Sequence, residues 1–180
     1  MESNKRTYSR LDYLMDILGH LKHEYEYEYD VPEIVIEEMK NKIAEENINL
    51  NNLDLIQCRR LLKKLNYRKY YEYTPYILRK LTGKQLLPKI KDHDELKIIQ
   101  VFKEVSKSFN YCRPPTRLNF LNYNYVLQKI CIMLGLNEYL ILFPFQLRNK
   151  DNILKHETIW KGLCVYNYDN WKHYPNFAAL

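Results

Sequence analysis

The sequence predicts a mainly α-helical protein, a compact single domain of several helices joined by short loops. Apolar residues recur at spacings of three and four along much of the chain, as on one face of a helix. There are four glycines among 180 residues, and so few positions that favour the positive φ of tight hairpins. Apolar residues make up 46% and charged residues 28%, which is ordinary for a globular domain with its own core.

Four helices are predicted in the first half of the chain. The first covers about residues 8–25, and the second begins at Val31-Pro32 with its proline at the first helical position. The third covers about 53–65, capped by Asn51 or Asn52, and a short fourth helix begins at Thr74-Pro75, with Thr74 as its cap, and ends at Gly83. The apolar stripe of the second helix consists of Ile34, Val35, Ile36, Met39 and Ile43.

Between the first two helices, residues 24–30 alternate acids with tyrosines. As a strand, this segment would place all its tyrosines on one face. As the frayed end of a helix, it would be a solvated acidic segment. Both interpretations are kept open.

Three longer helices are predicted in the second half. Asp92 or Asp94 opens one that runs to Phe109, a second covers about 120–134 and ends at Gly135, and a third covers about 153–166. The expected core face of the first of these is Leu96, Ile99, Phe102, Val105 and Phe109. A loop at 84–90 and a proline-rich connection at 112–116 separate the helices, and the aromatic tail 171–177 is expected to pack back on the body.

The net charge of +6 is unevenly distributed. Residues 1–57 are acidic, with a net charge of −7, whereas residues 58–91 carry eleven Lys and Arg against one Glu, a net charge of +10. The remaining residues, 92–180, form an apolar helical core with a net charge of +3. The basic segment 58–91 creates a local field suited to phosphates or to an acidic partner.

Within the basic segment, cations lie on the third helix, and beyond it Arg68 and Lys69 lie among tyrosines at 67, 70, 71 and 73. Arg59, Arg60, Lys63 and Lys64 stand at i, i+1, i+4 and i+5, so they share one outer face. Basic side chains neutralise phosphates and tyrosines stack on bases, which predicts a nucleic-acid surface. The predicted nucleic-acid-binding residues are Arg59, Arg60, Lys63, Lys64, Arg68, Lys69, Arg79, Lys80, Lys84, Arg113, Arg117 and Lys129.

Two alternatives to this surface stay open. The charges of the basic segment could be merely solvated while Tyr70, Tyr73 and Tyr76 pack inward. Arg113 and Arg117 flank two prolines and could either grip a phosphate or pair with Glu104 or Glu138.

Catalytic and metal-binding patterns are missing from the sequence, so we expect a protein that is not an enzyme and needs no cofactor. There is no P-loop, no G-x-S-x-G and no C-x-x-C among the four cysteines. His20 and His23 share a helix face but match no zinc motif, so a surface pair is favoured over a metal site. No secretory leader and no membrane-spanning run is visible, which predicts an intracellular protein with reduced thiols.

Several motifs resemble one known family. The segment Arg117–Lys129 reads RLNFLNYNYVLQK, and it is followed by Phe143-Pro144-Phe145 and Ile159-Trp160-Lys161. Earlier, Lys69–Tyr73 and Thr82-Gly83 resemble a tyrosine-rich middle segment. In combination these strings resemble the poxvirus late transcription factor 3 family of large DNA viruses, over most of the chain.

The resemblance implies a factor for late viral genes that works with the viral RNA polymerase and other late transcription factors at late promoters, in the host cytoplasm or nucleus. Longer members carry an N-terminal cysteine cluster resembling a zinc ribbon, which this chain lacks. Where the family often has His-Phe after its first arginine, this chain has Asp12-Tyr13.

Three functional hypotheses follow. The first is a transcription factor that contacts DNA with the basic segment and offers the acidic residues 24–46 to polymerase or a companion factor. The second is a helical protein-interaction scaffold without DNA contact, in which the basic segment docks either an acidic partner or the acidic N-terminal zone of a second copy in a homodimer. The third and weakest is a divergent nuclease.

Overall fold

The structure is a computed structural model, and it describes residues 9–22, 30–145 and 149–177. Every regular element in these ranges is a helix, and no strand occurs among them, which confirms the mainly α-helical class. The α-helices are α1 (Arg10–Lys22), α2 (Glu33–Glu45), α3 (Leu55–Lys64), α4 (Thr74–Thr82), α5 (Asp92–Cys112), α6 (Tyr123–Leu134), α7 (Lys150–Tyr166) and α8 (Tyr168–Trp171). Short 3-10 helices lie at Leu50–Asn52, Arg68–Tyr73 and Asn137–Leu142.

The chain divides into two compact units, one formed by residues 15–89 and the other by residues 1–14 together with 90–180. We call them the middle unit and the terminal unit. The sequence predicts a single domain, and cooperative folding of the two units stays a prediction. The tyrosine-acid alternation at 24–30 lies outside the described residues except for Asp30, which stands in a turn.

In the middle unit, α2, α3 and α4 pack on one another, and the 3-10 helix Arg68–Tyr73 packs on α3 and α4. The core of the unit contains Val35, Ile36 and Met39 of α2, which confirms most of the predicted stripe. Ile34 is the exception, because it is 53% exposed. A helix face spans a little over 100°, so three consecutive residues cannot all point inward.

Capping explains where the helices of the middle unit begin and end. The predicted caps Asn51 and Asn52 are wrong: Asp54 caps α3, in a capping box with Gln57. The two asparagines belong instead to the preceding 3-10 helix. Thr74 is already helical rather than a cap. Gly83 ends α4 with φ of 65°, as predicted.

In the terminal unit, α5 packs against α6 and α7. Its buried face includes Ile98, Val101, Phe102, Val105 and Phe109. The prediction of Leu96 in the core is wrong, because its side chain is 68% exposed. The helix ends at Cys112, about one turn later than the predicted Phe109.

The aromatic tail packs back on the terminal unit, as the sequence predicts. The Trp171 ring is fully buried and stacks on Trp160 with ring centroids 5.9 Å apart. Its indole N–H donates to Glu104 Oε2 at 2.6 Å. The backbone of Asn176 adds a hydrogen bond to the Met133 carbonyl. These contacts tie the end of the chain to α5, α6 and α7.

Candidate nucleic-acid interface

Helix α3 is amphipathic and turns its cations outward. Leu55, Cys58, Leu61 and Leu62 are buried along one side. On the other side, Arg60, Lys63 and Lys64 are exposed and Arg59 is half-buried. We call Arg59, Arg60, Lys63 and Lys64, together with Arg68 and Lys69, the basic face.

Two lysines of the basic face have different surroundings. Lys64 Nζ lies 2.7 Å from Glu46 Oε2, at the end of α2. The bonded ammonium holds the pKa of the Glu46 carboxyl below its ordinary value. The side chain of Lys63, by contrast, makes no hydrogen bond or ion pair within the described part of the chain. The Lys63 ammonium is therefore available to an external anion.

The 3-10 helix Arg68–Tyr73 continues the basic face. Arg68 and Lys69 are exposed, and Lys69 Nζ lies 4.9 Å from the centre of the Tyr70 ring. Tyr70 and Tyr76 are buried, as the inward-packing alternative expects, whereas Tyr73 is half-buried. Buried phenol rings cannot stack on bases, so the basic face is dominated by cations rather than by aromatic platforms.

The remaining cations of the basic segment lie on and after α4. Arg79 and Lys80 are half-buried, and each lies 5.7 Å from the centre of the Tyr76 ring. Lys84 is exposed and donates to Asn51 Oδ1 at 3.2 Å. All nine predicted residues of the basic segment thus belong to the middle unit.

Arg113, Arg117 and Lys129 belong to the terminal unit instead. Arg113 donates to the carbonyl of Arg117, and Arg117 donates to the carbonyls of Asn119 and Phe120. Both guanidiniums therefore brace the proline-rich connection. Neither pairs with Glu104 or Glu138 in the part of the chain that the structure describes, so of the two alternatives the ion pairs are wrong.

Lys129 is half-buried and lies 2.9 Å from Glu157 Oε1. Tyr125 donates to the same oxygen at 3.0 Å. The carboxylate and the surrounding apolar side chains raise the pKa of the Tyr125 phenol well above its ordinary range, with burial as the largest cause. The charge of Lys129 is accordingly engaged inside the terminal unit.

Among the described residues, the neighbours of His20 include a carboxylate and a tyrosine ring. Its Nε2 lies 3.6 Å from Glu72 Oε2, and its ring meets Tyr73 edge-on at 5.0 Å. His23 lies outside the described residues. Within those residues, no group of three His, Cys, Asp or Glu side chains is placed to hold a metal ion. None of the helices described is both long and apolar enough to cross a bilayer.

Some features of the interface were not visible in the sequence. Glu46 is 18 residues from Lys64 in the chain, so local spacing gives no sign of their ion pair. Arg10 is 96 residues from Ser106, whose carbonyl accepts from its guanidinium. This hydrogen bond holds Arg10 in a second cationic surface, on the terminal unit. The spacing of Lys103 and Lys107 at i and i+4 could have indicated that surface.

A family model described as poxvirus late transcription factor VLTF3-like matches residues 1–173. A provisionally named transcription factor of Acanthamoeba polyphaga mimivirus is 41% identical over 175 residues, covering 97% of this chain and 39% of that protein. One from Paramecium bursaria Chlorella virus 1 is 32% identical over 167 residues, covering 91% of this chain and 45% of that protein.

A second such protein of the mimivirus is 31% identical over 139 residues, covering 76% of this chain and 52% of the relative. The chain thus spans roughly two fifths to one half of the length of the three relatives. No solved structure matches it.

Proposed function

The chain belongs to the poxvirus late transcription factor VLTF3-like family, and we propose that it serves late viral transcription by holding promoter DNA on the basic face. In this proposal the basic face contacts phosphates and positions the protein on the duplex. Such contacts supply affinity and orientation without reading bases. The viral RNA polymerase and companion late factors are the proposed partners.

The observation that supports this proposal most is the pair of uncommitted cations in the middle unit, Lys63 and Arg68. Both are exposed, and within residues 9–22, 30–145 and 149–177 neither side chain makes a hydrogen bond or ion pair. Arg60 is exposed beside them on α3. Because the opposite side of α3 is buried in the core, Arg60 and Lys63 point away from that core. A solvated cluster of this kind is suited to a phosphate backbone.

The contacts of the other predicted residues support different roles for them in this proposal. Lys64 is paired with Glu46, and Lys129 with Glu157, so we assign both lysines a stabilising role within the protein. Arg113 and Arg117 brace a loop. Arg79, Lys80 and Lys84 border the basic face and add to its field. We therefore place the direct phosphate contacts at Arg60, Lys63, Arg68 and Lys69.

Helix α2 is the proposed surface for polymerase or a companion factor. Glu33 and Glu37 are exposed, and neither makes a hydrogen bond or ion pair among the described residues. In the middle of the helix, Glu38 accepts a hydrogen bond from the Tyr67 hydroxyl and raises the pKa of that phenol. Glu46 pairs with Lys64 just after the helix. The acidic residues near the basic segment are thus engaged with it, and those at the start of α2 remain for a partner.

The test is duplex DNA binding by the double variant Lys63→Glu/Arg68→Glu, measured by fluorescence anisotropy. Losing two phosphate contacts is expected to weaken binding by on the order of tenfold to a hundredfold near 0.1 M salt. The matched control is Lys97→Glu/Lys155→Glu, which makes the same change in net charge at two exposed lysines of the terminal unit. Circular dichroism checks that both variants fold.

Equal loss in both variants would show that only net charge matters, and would contradict a localised face. If neither variant changes DNA binding, the protein-interaction scaffold becomes the better account.

A further inference from the structure

A groove of about 440 Å³ lies on the terminal unit between the start of α1 and the middle of α5. Three cations line it, Arg10 from α1 and Lys103 and Lys107 from α5. Its polar walls are completed by Ser9, Ser106 and Asn110. None of these residues belongs to the basic segment.

Arg10 is held rigidly at one wall of the groove. Its Nη1 donates to the Ser106 carbonyl at 2.9 Å and its Nη2 to Asn110 Oδ1 at 3.3 Å. The guanidinium also lies over the rings of Phe109 and Phe120, 4.9 and 4.7 Å from their centres. A positive charge is thereby fixed in place without a carboxylate partner among these contacts.

Lys103 and Lys107 stand one turn apart on α5, and both are exposed. In the described part of the chain, neither side chain makes a hydrogen bond or an ion pair. Two acids lie near these cations: Asp12 accepts from Ser9, and Glu104 accepts from Trp171. The three lining cations outnumber these two acids, so the groove has an excess of positive charge.

An exposed aromatic pair stands one turn beyond Lys107. The rings of Tyr111 and Tyr166 are stacked with centroids 5.6 Å apart and planes 7° from parallel. Their side chains are 70% and 56% exposed, so the pair projects from the unit rather than filling its core. Flat rings beside cations are the combination used to bind unpaired nucleotides.

We propose that the groove and the Tyr111–Tyr166 pair form a binding site for single-stranded DNA. The cations neutralise phosphates, and an unpaired base stacks on an outer ring face of the pair. A duplex hides its base faces, so it cannot use the aromatic pair. The choice of DNA rests on the proposed function, since opening a promoter exposes such a strand.

The test uses fluorescence anisotropy with a labelled oligothymidylate of about 16 nucleotides, long enough for one site. We expect Tyr111→Ala/Tyr166→Ala to weaken binding roughly tenfold or more, as loss of base stacking does. Tyr111→Phe should bind like the wild type, because its ring remains. Circular dichroism excludes unfolding, and unchanged binding by the double alanine variant overturns the proposal.

The cationic part of the site has its own measurement. Lys103→Gln/Lys107→Gln should reduce the steepness of log Kd against log salt by about 1.4, or about 0.7 for each lost contact with a single strand. Lys97→Gln/Lys155→Gln should leave the slope unchanged. Equal slopes for the two double variants overturn the assignment to the groove, and tighter binding of an oligouridylate of equal length overturns the choice of DNA.

Duplex binding by the same proteins separates this proposal from the previous one. The tyrosine variant should bind duplex DNA normally, whereas Lys63→Glu/Arg68→Glu should still bind the single strand. Loss of only one activity in each variant shows two surfaces. Parallel loss of both activities in each variant shows one shared surface and overturns the separate site.

Discussion

Asp94 shows how much a single residue of this chain depends on a distant partner. It lies in the first turn of α5 and is 3% exposed. The buried hydroxyl of Tyr139 donates to its Oδ2 at 2.7 Å, and His93 Nε2 lies 3.0 Å from Oδ1. The sequence indicates a helix start at this position. It gives no sign of Tyr139, which is 45 residues further along the chain.

Removing that hydroxyl should destabilise the protein. Tyr139→Phe leaves the buried carboxylate short of a donor, which costs about 1–3 kcal/mol of the free energy of unfolding. Urea denaturation followed by circular dichroism measures the change. Tyr168→Phe, at an exposed ring, is the control and should change stability by less than about 0.5 kcal/mol. Equal stability of the two variants would contradict a role for the buried hydrogen bond.

The buried thiols give the stability of the protein a pH dependence. Burial raises the pKa of Cys58 and Cys131 to about 12 and that of Cys164 to about 11. In the unfolded chain these thiols lose their protons near pH 8.5. Above that pH the unfolded state binds fewer protons than the folded state, so the free energy of unfolding should fall as pH rises. Urea midpoints at pH 7.5 and 9.5 test this direction.

Thiol modification provides an independent check at the same sites. Because the thiolate is the reactive form, Cys58, Cys131 and Cys164 should resist a disulfide-exchange reagent near neutral pH in the folded protein. Cys112 is only half-buried, so it should react first. Rapid reaction of all four thiols without denaturant would contradict the burial of the other three. The variant Cys112→Ser should remove the fast phase of the thiol reaction.

At the scale of helices, two glycines should respond oppositely to alanine. Gly83 ends α4 with φ of +65°, where an added Cβ meets no atom within 4 Å, so its substitution carries only the conformational cost of about 1 kcal/mol. Gly162 lies inside α7, where the new Cβ meets Cys112 Cβ at an ordinary 3.6 Å. Gly162→Ala should therefore stabilise by up to about 1 kcal/mol. Thermal melts compare the two variants, and a shift in the same direction would contradict this reasoning.

The helices themselves were predictable because local chemistry sets them. Gly83 and Gly135 end α4 and α6 in the left-handed conformation, as the sequence indicates. The predictions of buried residues were wrong where the local sequence pattern does not determine which side of a helix faces the core. Leu96 fits the spacing of the core face, yet α5 turns its neighbour Ile98 inward instead. Which residues of a stripe are buried depends on the partner helices, and these pack from distant parts of the chain.

At the scale of the whole molecule, the candidate site was predictable only as a charge zone. The concentration of cations at 58–91 is a property of the sequence, and the direction of the basic face follows from helical spacing. Which cations are already paired is a tertiary property. Glu46 and Glu157 each engage one predicted residue across 18 and 28 positions of the chain.

The expectation of one domain is tested by the cooperativity of unfolding. Both tryptophans, Trp160 and Trp171, lie in the terminal unit, so their fluorescence reports on that unit alone. Circular dichroism reports on the helices of both units. We predict coincident urea transitions from the two signals, as for a cooperative single domain. Separate midpoints would contradict the single-domain prediction.

The central claim is that Lys63 and Arg68 contact DNA phosphates. The most direct measurement is the salt dependence of duplex binding for the wild type and for Lys63→Gln/Arg68→Gln. If both side chains contact phosphates, the steepness of log Kd against log salt should decrease by about 1.8 in the double variant, about 0.9 for each contact. An unchanged slope would contradict the claim, whatever the change in affinity at a single salt concentration.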